Sequence, residues 1–249
     1  LPGTLITLES FDALKPISTM AAYFITGTDT GVGKTRTSCA LIHALRQAGH
    51  PRVVGMKPVA AGCDWVEGAD GHPGQWLNED VIALRAASSL QVPSSFDNPY
   101  ALPNAVSPHI AARQAGEVID LAHIEASFHA LSQHADAVVV EGAGGFIVPL
   151  CEDAGEWATS AELAQRLALP VILVVGLRLG CLNHALLTQE AIVSRGLTLA
   201  GWVANVIDPA MPEQAANLAT LQRHLQAPML AHWAHEPDAR PESLQIQLP

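Results

Sequence analysis

Two patterns of apolar residues alternate along the chain. Short, near-continuous runs recur at Ala21 to Ile25, Arg52 to Met56, Ala137 to Val140, Pro170 to Gly176, Leu199 to Val206 and Met229 to Trp233. Runs of this length, rich in β-branched residues and free of polar alternation, predict strands buried on both faces. Between them the apolar residues fall three and four apart, the spacing of a helix face. This pattern predicts a helix on Cys39, Ala40, Leu41 and Leu45 that stops at Gly49, and further helices over Val81–Ala87, from Ser107-Pro108 through Arg113, over Leu121–Gln133, Trp157–Leu167, Ala185–Ser194 and Pro212–Leu225. The boundaries carry cap chemistry: Asp120 before its helix, Pro108 in a first turn, Gly196 after an end. Strand and helix in alternation predict an α/β fold, a single-domain, mostly parallel doubly wound sheet flanked by helices, over residues 20–249. The stretch from Asp64 to Trp76, rich in glycine and acid, reads as a mobile surface loop, and the tail from Pro237 as irregular. Residues 1–19 precede Met20 and the first strand, and are expected to be a disordered or loosely packed extension.

A parallel sheet of this kind holds ligands at the carboxyl ends of its strands, and the chemistry-bearing residues cluster there. The first strand runs into Thr26-Gly27-Thr28-Asp29-Thr30-Gly31-Val32-Gly33-Lys34-Thr35 and then into a helix. Strand, glycine-rich loop and helix are the context of a phosphate-binding loop. Glycines let backbone N–H groups turn inward, and with the helix N-terminus the amides around Gly31, Val32 and Gly33 form an anion-binding concavity. Lys34 adds a charge for the β- and γ-phosphates, and the Thr35 hydroxyl suits Mg²⁺. The loop is a deviant one: Gly27 and Gly33 enclose five residues where the usual pattern has four, and Thr28 stands where the usual loop has its first glycine.

Three more strand ends matter. Lys57 follows the second strand, with Pro58 fixing the chain after it, and is either a solvated lysine or a site residue. Glu141 ends the strand Ala137 to Val140 and is followed by Gly142, Ala143, Gly144 and Gly145. An acid there has the position of the metal-side carboxylate of phosphate-loop enzymes, and the glycines after it can turn amides toward an anion. Asn205 lies near the end of its own strand. Asp80, in Asn78-Glu79-Asp80, has two readings: an acid that suits the dipole of a first helical turn, or a carboxylate facing Mg²⁺.

Composition narrows the partners. With 249 residues, 49% of them hydrophobic, the chain can bury a full core. The net charge of −11 disfavours nucleic acid as a partner but not a nucleotide, which local lysines decide. No apolar run approaches the roughly 18 residues of a membrane span, and no signal peptide is visible, so no membrane partner is expected. Cys39, Cys63, Cys151 and Cys181 form no Cys-x-x-Cys pair, which points away from zinc and toward a reduced, cytoplasmic chain. The eleven histidines are scattered, and no Ser-His-Asp or Cys-His set is evident.

With these segments assembled, the chain resembles the dethiobiotin synthetases from about Tyr23 to about Pro228. The resemblance rests on Thr26 to Thr35, Lys57-Pro58-Val59, Asn98-Pro99-Tyr100, Ser107-Pro108-His109, Val140-Glu141-Gly142-Ala143-Gly144-Gly145, Leu179-Gly180-Cys181-Leu182-Asn183-His184 and Gly201-Trp202-Val203-Ala204-Asn205. The longer phosphate loop is also that family's form. The resemblance implies that 7,8-diaminononanoate, CO₂ and ATP give dethiobiotin, ADP and phosphate through a carbamate and a carbamic–phosphoric anhydride. It implies that Thr35, Asp80 and Glu141 surround Mg²⁺, that Lys34 and Lys57 hold carbamate and phosphate oxygens, and that Thr30 and Gly144 lie near the substrate. Asn205, with Val206, would meet adenine beside Ala234, His235 and Glu236. It also implies a homodimer in which Gly180, Cys181 and Asn183 reach the partner's site and bind the substrate carboxylate, against the plainer reading of Asn183 as a helix cap. The sequence departs from the family pattern at Gly31, at Ala61 and in Ala231-His232-Trp233-Ala234, which lacks the Gly-x-x-Pro expected near the adenine.

A rival class shares the expected fold: the switch ATPases of chromosome partitioning and septum positioning, whose loop carries an extra signature lysine. Asp29 stands at that position here, and no basic amphipathic tail follows. An amidating ligase of corrinoid synthesis would need a glutamine-hydrolysing domain, for which the chain after Asn205 is too short.

Overall fold

The computed structural model describes residues 20–68, 74–153, 156–236 and 238–249; the expected extension over 1–19 lies outside them. The chain begins with β1 (Ala21–Gly27), α1 (Lys34–Gln47), β2 (Val53–Met56), β3 (Val59–Ala61), β4 (Asp64–Val66), β5 (Gln75–Leu77) and α2 (Glu79–Ala87). There follow α3 (Ser94–Asp97), β6 (Tyr100–Leu102), α4 (Pro108–Ala115), α5 (Leu121–Ser132), β7 (Ala137–Glu141), β8 (Pro149–Asp153), β9 (Glu156–Thr159) and α6 (Ser160–Leu167). The remainder is β10 (Val171–Leu177), α7 (Cys181–Ser194), β11 (Leu199–Val206), α8 (Gln214–His224) and β12 (Met229–Trp233).

Six strands form one parallel sheet in the order β12-β11-β10-β1-β7-β2. The strand alternation divides the core. Ile25, Val139, Ile172 and Val174 pack against α1 and α2 through Leu41, Ile42, Leu45 and Leu84. Phe24, Val138 and Val140 pack the opposite way, against Ile124, Phe128 and Leu163 of α5 and α6. Leu173, Val175 and Trp202 extend that second face toward Ala185 of α7 and Leu221 of α8. Every residue of β7 and β10 is buried, which is why their sequences are apolar throughout rather than alternating.

The structure corrects two elements. Trp157 is not helical: it lies in the β8–β9 hairpin, and α6 starts at Ser160. The start is a capping box, with Thr159 accepting from the Ala161 amide and the Glu162 carboxylate accepting from the Thr159 amide at 2.8 Å. The segment expected to be a loop between Asp64 and Trp76 contains the antiparallel hairpin β4–β5, in which Trp65 pairs with Trp76 and their rings meet edge to face at 5.4 Å; residues 69–73 within it lie outside the described residues. The parallel pair β3–β6 and the single turn α3 were not foreseen.

Candidate functional site

The carboxyl ends of β1, β2, β7, β10 and β11 open on one side of the sheet, and the loop from Thr28 to Gly33 crosses it. Val32 pins the loop by packing into space that glycine leaves free: a Cβ on Gly27 or Gly176 would stand 2.7 Å from its side chain. Gly33, at φ +96°, is the N-cap of α1, where a Cβ would meet Asn205 Nδ2 at 2.4 Å. Gly31 is also left-handed, with open space around it. Across the loop the Lys34 ammonium donates to the Asp29 carbonyl at 2.9 Å, and the Asp29 carboxylate pairs with Arg178 beyond β10.

Beside the loop five side chains converge. Thr35 Oγ1 lies 2.6 Å from Asp80 Oδ1 and 2.9 Å from Glu141 Oε1. The Lys57 ammonium donates to Asp80 Oδ2 at 2.8 Å and to Glu141 Oε1 at 2.6 Å. Ser38, one turn along α1, reaches the other Glu141 oxygen at 2.8 Å. Glu141 is fully buried and Lys57 nearly so, while the Asp80 side chain is 40% exposed. Each is positioned by local chemistry. The Lys57 amide donates to the Asp97 carbonyl, and the Asn98 amide group donates to the Lys57 carbonyl, both at 2.7 Å. Asn78 caps α2 by accepting from the Asp80 amide, and its own NH₂ holds the Ala61 and Gly62 carbonyls. Asp80 thus stands in a first helical turn, where an acid suits the dipole, and its carboxylate faces Thr35.

Burial pulls the Lys57 pKa down, but the charges and hydrogen bonds of Glu141 and Asp80 outweigh it and hold the ammonium above its usual value. Burial pushes Asp80 up, and Lys57, Thr35 and Lys34 together bring it below the usual carboxylate range. Lys34 is pushed down to about 8, by burial first and by the charge of Lys57 second. Burial pushes the Cys39 thiol up to about 12, which leaves it inert.

A cavity of about 430 Å³ begins at this cluster, bounded by Thr30, Lys57, Asp80, Ala143 and Gly144. A larger one, about 540 Å³, lies between His43, Gln47 and the C-terminal residues and touches none of the cluster. Gly142 does not line the first cavity: its amide donates to the Ile25 carbonyl at 2.9 Å and a Cβ there would meet the Phe24 ring at 3.2 Å. The expectation that its amide faces an anion is therefore corrected: that N–H is committed to the sheet.

Asn205 is 5% exposed; its NH₂ donates to the Val32 carbonyl at 2.9 Å and its Oδ1 is buried with no hydrogen-bond partner. Trp233 pairs with it in the β11–β12 register, so Ala234, His235 and Glu236 leave the sheet beside it, and His235 Nδ1 lies 3.1 Å from the Val206 carbonyl. Gly180, Cys181 and Asn183 stand apart at the start of α7 and do not line the 430 Å³ cavity. Gly180 is the N-cap, so Asn183 is not.

A family model described as an AAA domain matches residues 21–243. The ATP-dependent dethiobiotin synthetase BioD of Aromatoleum aromaticum is 52% identical over 227 residues, covering 91% of this chain and 96% of that protein. That of Xylella fastidiosa strain 9a5c is 47% identical over 230 residues, 92% of this chain and 97% of the relative. The chain belongs to the dethiobiotin synthetase family. Solved structures of similar fold include the septum site-determining protein MinD of Pyrococcus horikoshii complexed with Mg-ADP, at TM-score 0.52 and 18% identity over 88% of this chain and 82% of that one. A ParA family ATPase of Chlorobium tepidum has TM-score 0.53 and 11% identity over 88% of this chain and 86% of the other. These two share the phosphate-loop sheet architecture with this synthetase-family chain. In it Ser38 does work that the sequence pattern did not single out, and Asn78 and Asn98, which stood in quoted motifs without a role of their own, position Asp80 and Lys57; the only signal for Ser38 was its place one helical turn beyond Lys34.

Proposed function

We propose that this chain is an ATP-dependent dethiobiotin synthetase, closing the ureido ring of 7,8-diaminononanoate in biotin synthesis. The observation that carries this reading is the buried Lys57 ammonium at the floor of the cavity beside the phosphate loop, with Thr35, Asp80 and Glu141 around it. One amine of the substrate takes up CO₂ as a carbamate. A carbamate oxygen attacks the γ-phosphorus of ATP, ADP departs, and the second amine attacks the carbonyl carbon and expels phosphate. The charge in play is anionic at every stage, so fixed cations and inward amides are the tools required. Lys34 serves the transferring phosphoryl group and Lys57 the carbamate, with Thr30 and Gly144 bounding the substrate. No protein nucleophile enters.

The oxygens of Thr35, Asp80 and Glu141 are the hard donors that Mg²⁺ takes together with phosphate oxygens. When bound there the ion neutralises charge on the β- and γ-phosphates. The unpaired Asn205 Oδ1 is an acceptor suited to the adenine amino group, with Val206, Ala234, His235 and Glu236 along the base. Gly180, Cys181 and Asn183 belong to the site of a second copy in a homodimer, where they receive the substrate carboxylate. The net charge of −11 supports a small-molecule enzyme with no nucleic-acid partner, and among the described residues no helix is long and apolar enough to cross a membrane. A cytoplasmic location fits the four free cysteines.

The test is dethiobiotin formation by the purified chain. Product should require diaminononanoate, bicarbonate and ATP together, with one ADP released per ring closed. ATP hydrolysis indifferent to the diamine, and stimulated instead by DNA, lipid or a protein, would sink the reading.

A further inference from the structure

Arg36 has no part in the chemistry of Lys34, Lys57 and the carbamate, yet it is built into the same corner. It follows Thr35 in the first turn of α1, which also carries Lys34 and contains no acid. Two cations at the positive end of a helix are unfavourable until an anion joins them. The Arg36 amide is among the first-turn donors that lack a carbonyl inside the helix, so its side chain departs from within the phosphate cradle.

The head of that side chain lies against the other end of the nucleotide site. Its guanidinium carbon sits 5.5 Å from the centroid of the Trp233 ring, and Glu236 supplies a favourable charge beside it. Trp233 is a firm platform, 6% exposed, with its indole N–H donating to the Gln245 carbonyl at 3.0 Å. It is also the register partner of Asn205, whose Oδ1 is buried and unpartnered. Arg36 Nε and Nη2 are likewise buried with no hydrogen-bond partner. A strut between α1 and β12 would explain the stacking but not the two donor nitrogens left without acceptors, an arrangement that costs stability. A guanidinium with one face on an aromatic ring keeps its N–H edge for a planar or tetrahedral oxyanion. Between a phosphate cradle and a base wall, the oxyanion is the phosphate attached to the sugar.

We infer that Arg36 binds the α-phosphate of ATP and ADP, and that Trp233 holds its guanidinium in line to do so. This rests on the reading of the chain as an ATP-using enzyme. The experiment compares wild type, Arg36→Met and Arg36→Lys in the full chain. It reads dethiobiotin turnover, the KM for ATP and for diaminononanoate, the calorimetric Kd for ADP with magnesium and for inorganic tripolyphosphate, and the unliganded Tm. Arg36→Met should weaken ADP and tripolyphosphate by about tenfold to a hundredfold, raise the KM for ATP to a similar extent, and leave that for the diamine within about twofold. Arg36→Lys, which keeps the charge without the fork, should recover only part of the loss. Wild-type ADP affinity in both variants, with only a lower Tm, would make Arg36 a strut and overturn the inference. Loss of ADP affinity with tripolyphosphate unchanged would put the guanidinium on the base or sugar and overturn it as well. A wild-type protein that makes no dethiobiotin but whose ADP and tripolyphosphate binding both depend on Arg36 would support the inference while removing the synthetase reading.

Discussion

Lys57 carries a buried charge where an uncharged residue would cost less to bury. Buried ion pairs contribute little to net stability compared with apolar packing, so two carboxylates gathered around one ammonium are better explained by chemistry than by folding. The ammonium touches Asp80 and Glu141, not Asn205, the residue proposed to meet the base. Lys57→Gln should therefore lower turnover by about a hundredfold or more, while the Kd for ADP changes far less. Abolished ADP binding in that variant would move Lys57 into the nucleotide site. Gly33 tests the opposite end. At φ +96° an alanine pays roughly 1–2 kcal/mol for its backbone, and its Cβ would stand 2.4 Å from Asn205 Nδ2. Asn205 cannot yield without releasing the Val32 carbonyl that it holds at 2.9 Å. Gly33→Ala should lose nucleotide binding with the far-ultraviolet circular dichroism unchanged; calorimetry that finds wild-type ADP affinity would refute the linkage.

At the scale of elements, the end of β2 is aimed by its neighbours. Arg85 of α2 holds Asp97 of α3 with two bonds of 2.7 Å, and the Asp97 carbonyl receives the Lys57 amide. Burial keeps the Asp97 pKa above the ordinary value even with Arg85 beside it. Arg85→Met would leave that carboxyl buried and unpaired. A loss of about 2–4 kcal/mol is expected, seen as a fall in Tm, with turnover impaired more than ADP affinity because Lys57 is no longer aimed. An unchanged Tm would show that the pair does not brace β2. The elements most legible in the sequence were those with both faces buried. Leu199–Val206, with six of its eight residues buried, matches its strand at both ends; Met229–Trp233 matches as well, although as an edge strand it leaves His232 exposed. The hairpins were hidden for the opposite reason: Trp65, Trp76 and Trp157 are 49%, 38% and 57% exposed, so their strands carry no core signature. Trp157 was drawn into a helix that the capping box begins two residues later. In the site, Lys34, Lys57 and Glu141 were legible because a parallel sheet directs its strand ends to one edge; Asp80, in a helix, kept two readings until the fold set it against Thr35. Ser38 was not legible, and Asn98 was seen only as part of a motif, since each is an ordinary polar residue until a partner 103 or 41 positions away gives it a role.

At the scale of the molecule, the cavity at Lys57 is lined by Thr30, Asp80 and Gly144 but receives nothing from the start of α7. The substrate carries a carboxylate at the far end of an apolar chain, and that anion needs a site of its own. In the first turn of α7 the Cys181 amide is committed to the Arg178 carbonyl at 3.0 Å, but the turn has no acid and Asn183 is exposed, features that favour a carboxylate at a helix start. The same region presents apolar surface, with Leu179 83% and Leu187 57% exposed. Pairing two copies through this face would cover the apolar surface and bring each α7 start to the other's cavity, which gives a two-fold dimer with shared sites. Sedimentation should then report twice the 26.2 kDa chain mass. Asn183→Ala should raise the KM for diaminononanoate by roughly tenfold to a hundredfold, the worth of one hydrogen bond to a charged group, and leave that for ATP nearly unchanged. Mixing Asn183→Ala with Lys34→Ala supplies the decisive reading. One site of the heterodimer would combine both lesions, and the other would have a wild-type Lys34 from one subunit and a wild-type Asn183 from its partner. Activity recovered on mixing requires that the two residues act across subunits. A monomer with full activity, or a mixture no better than its components, would return Asn183 to the surface of a self-sufficient chain.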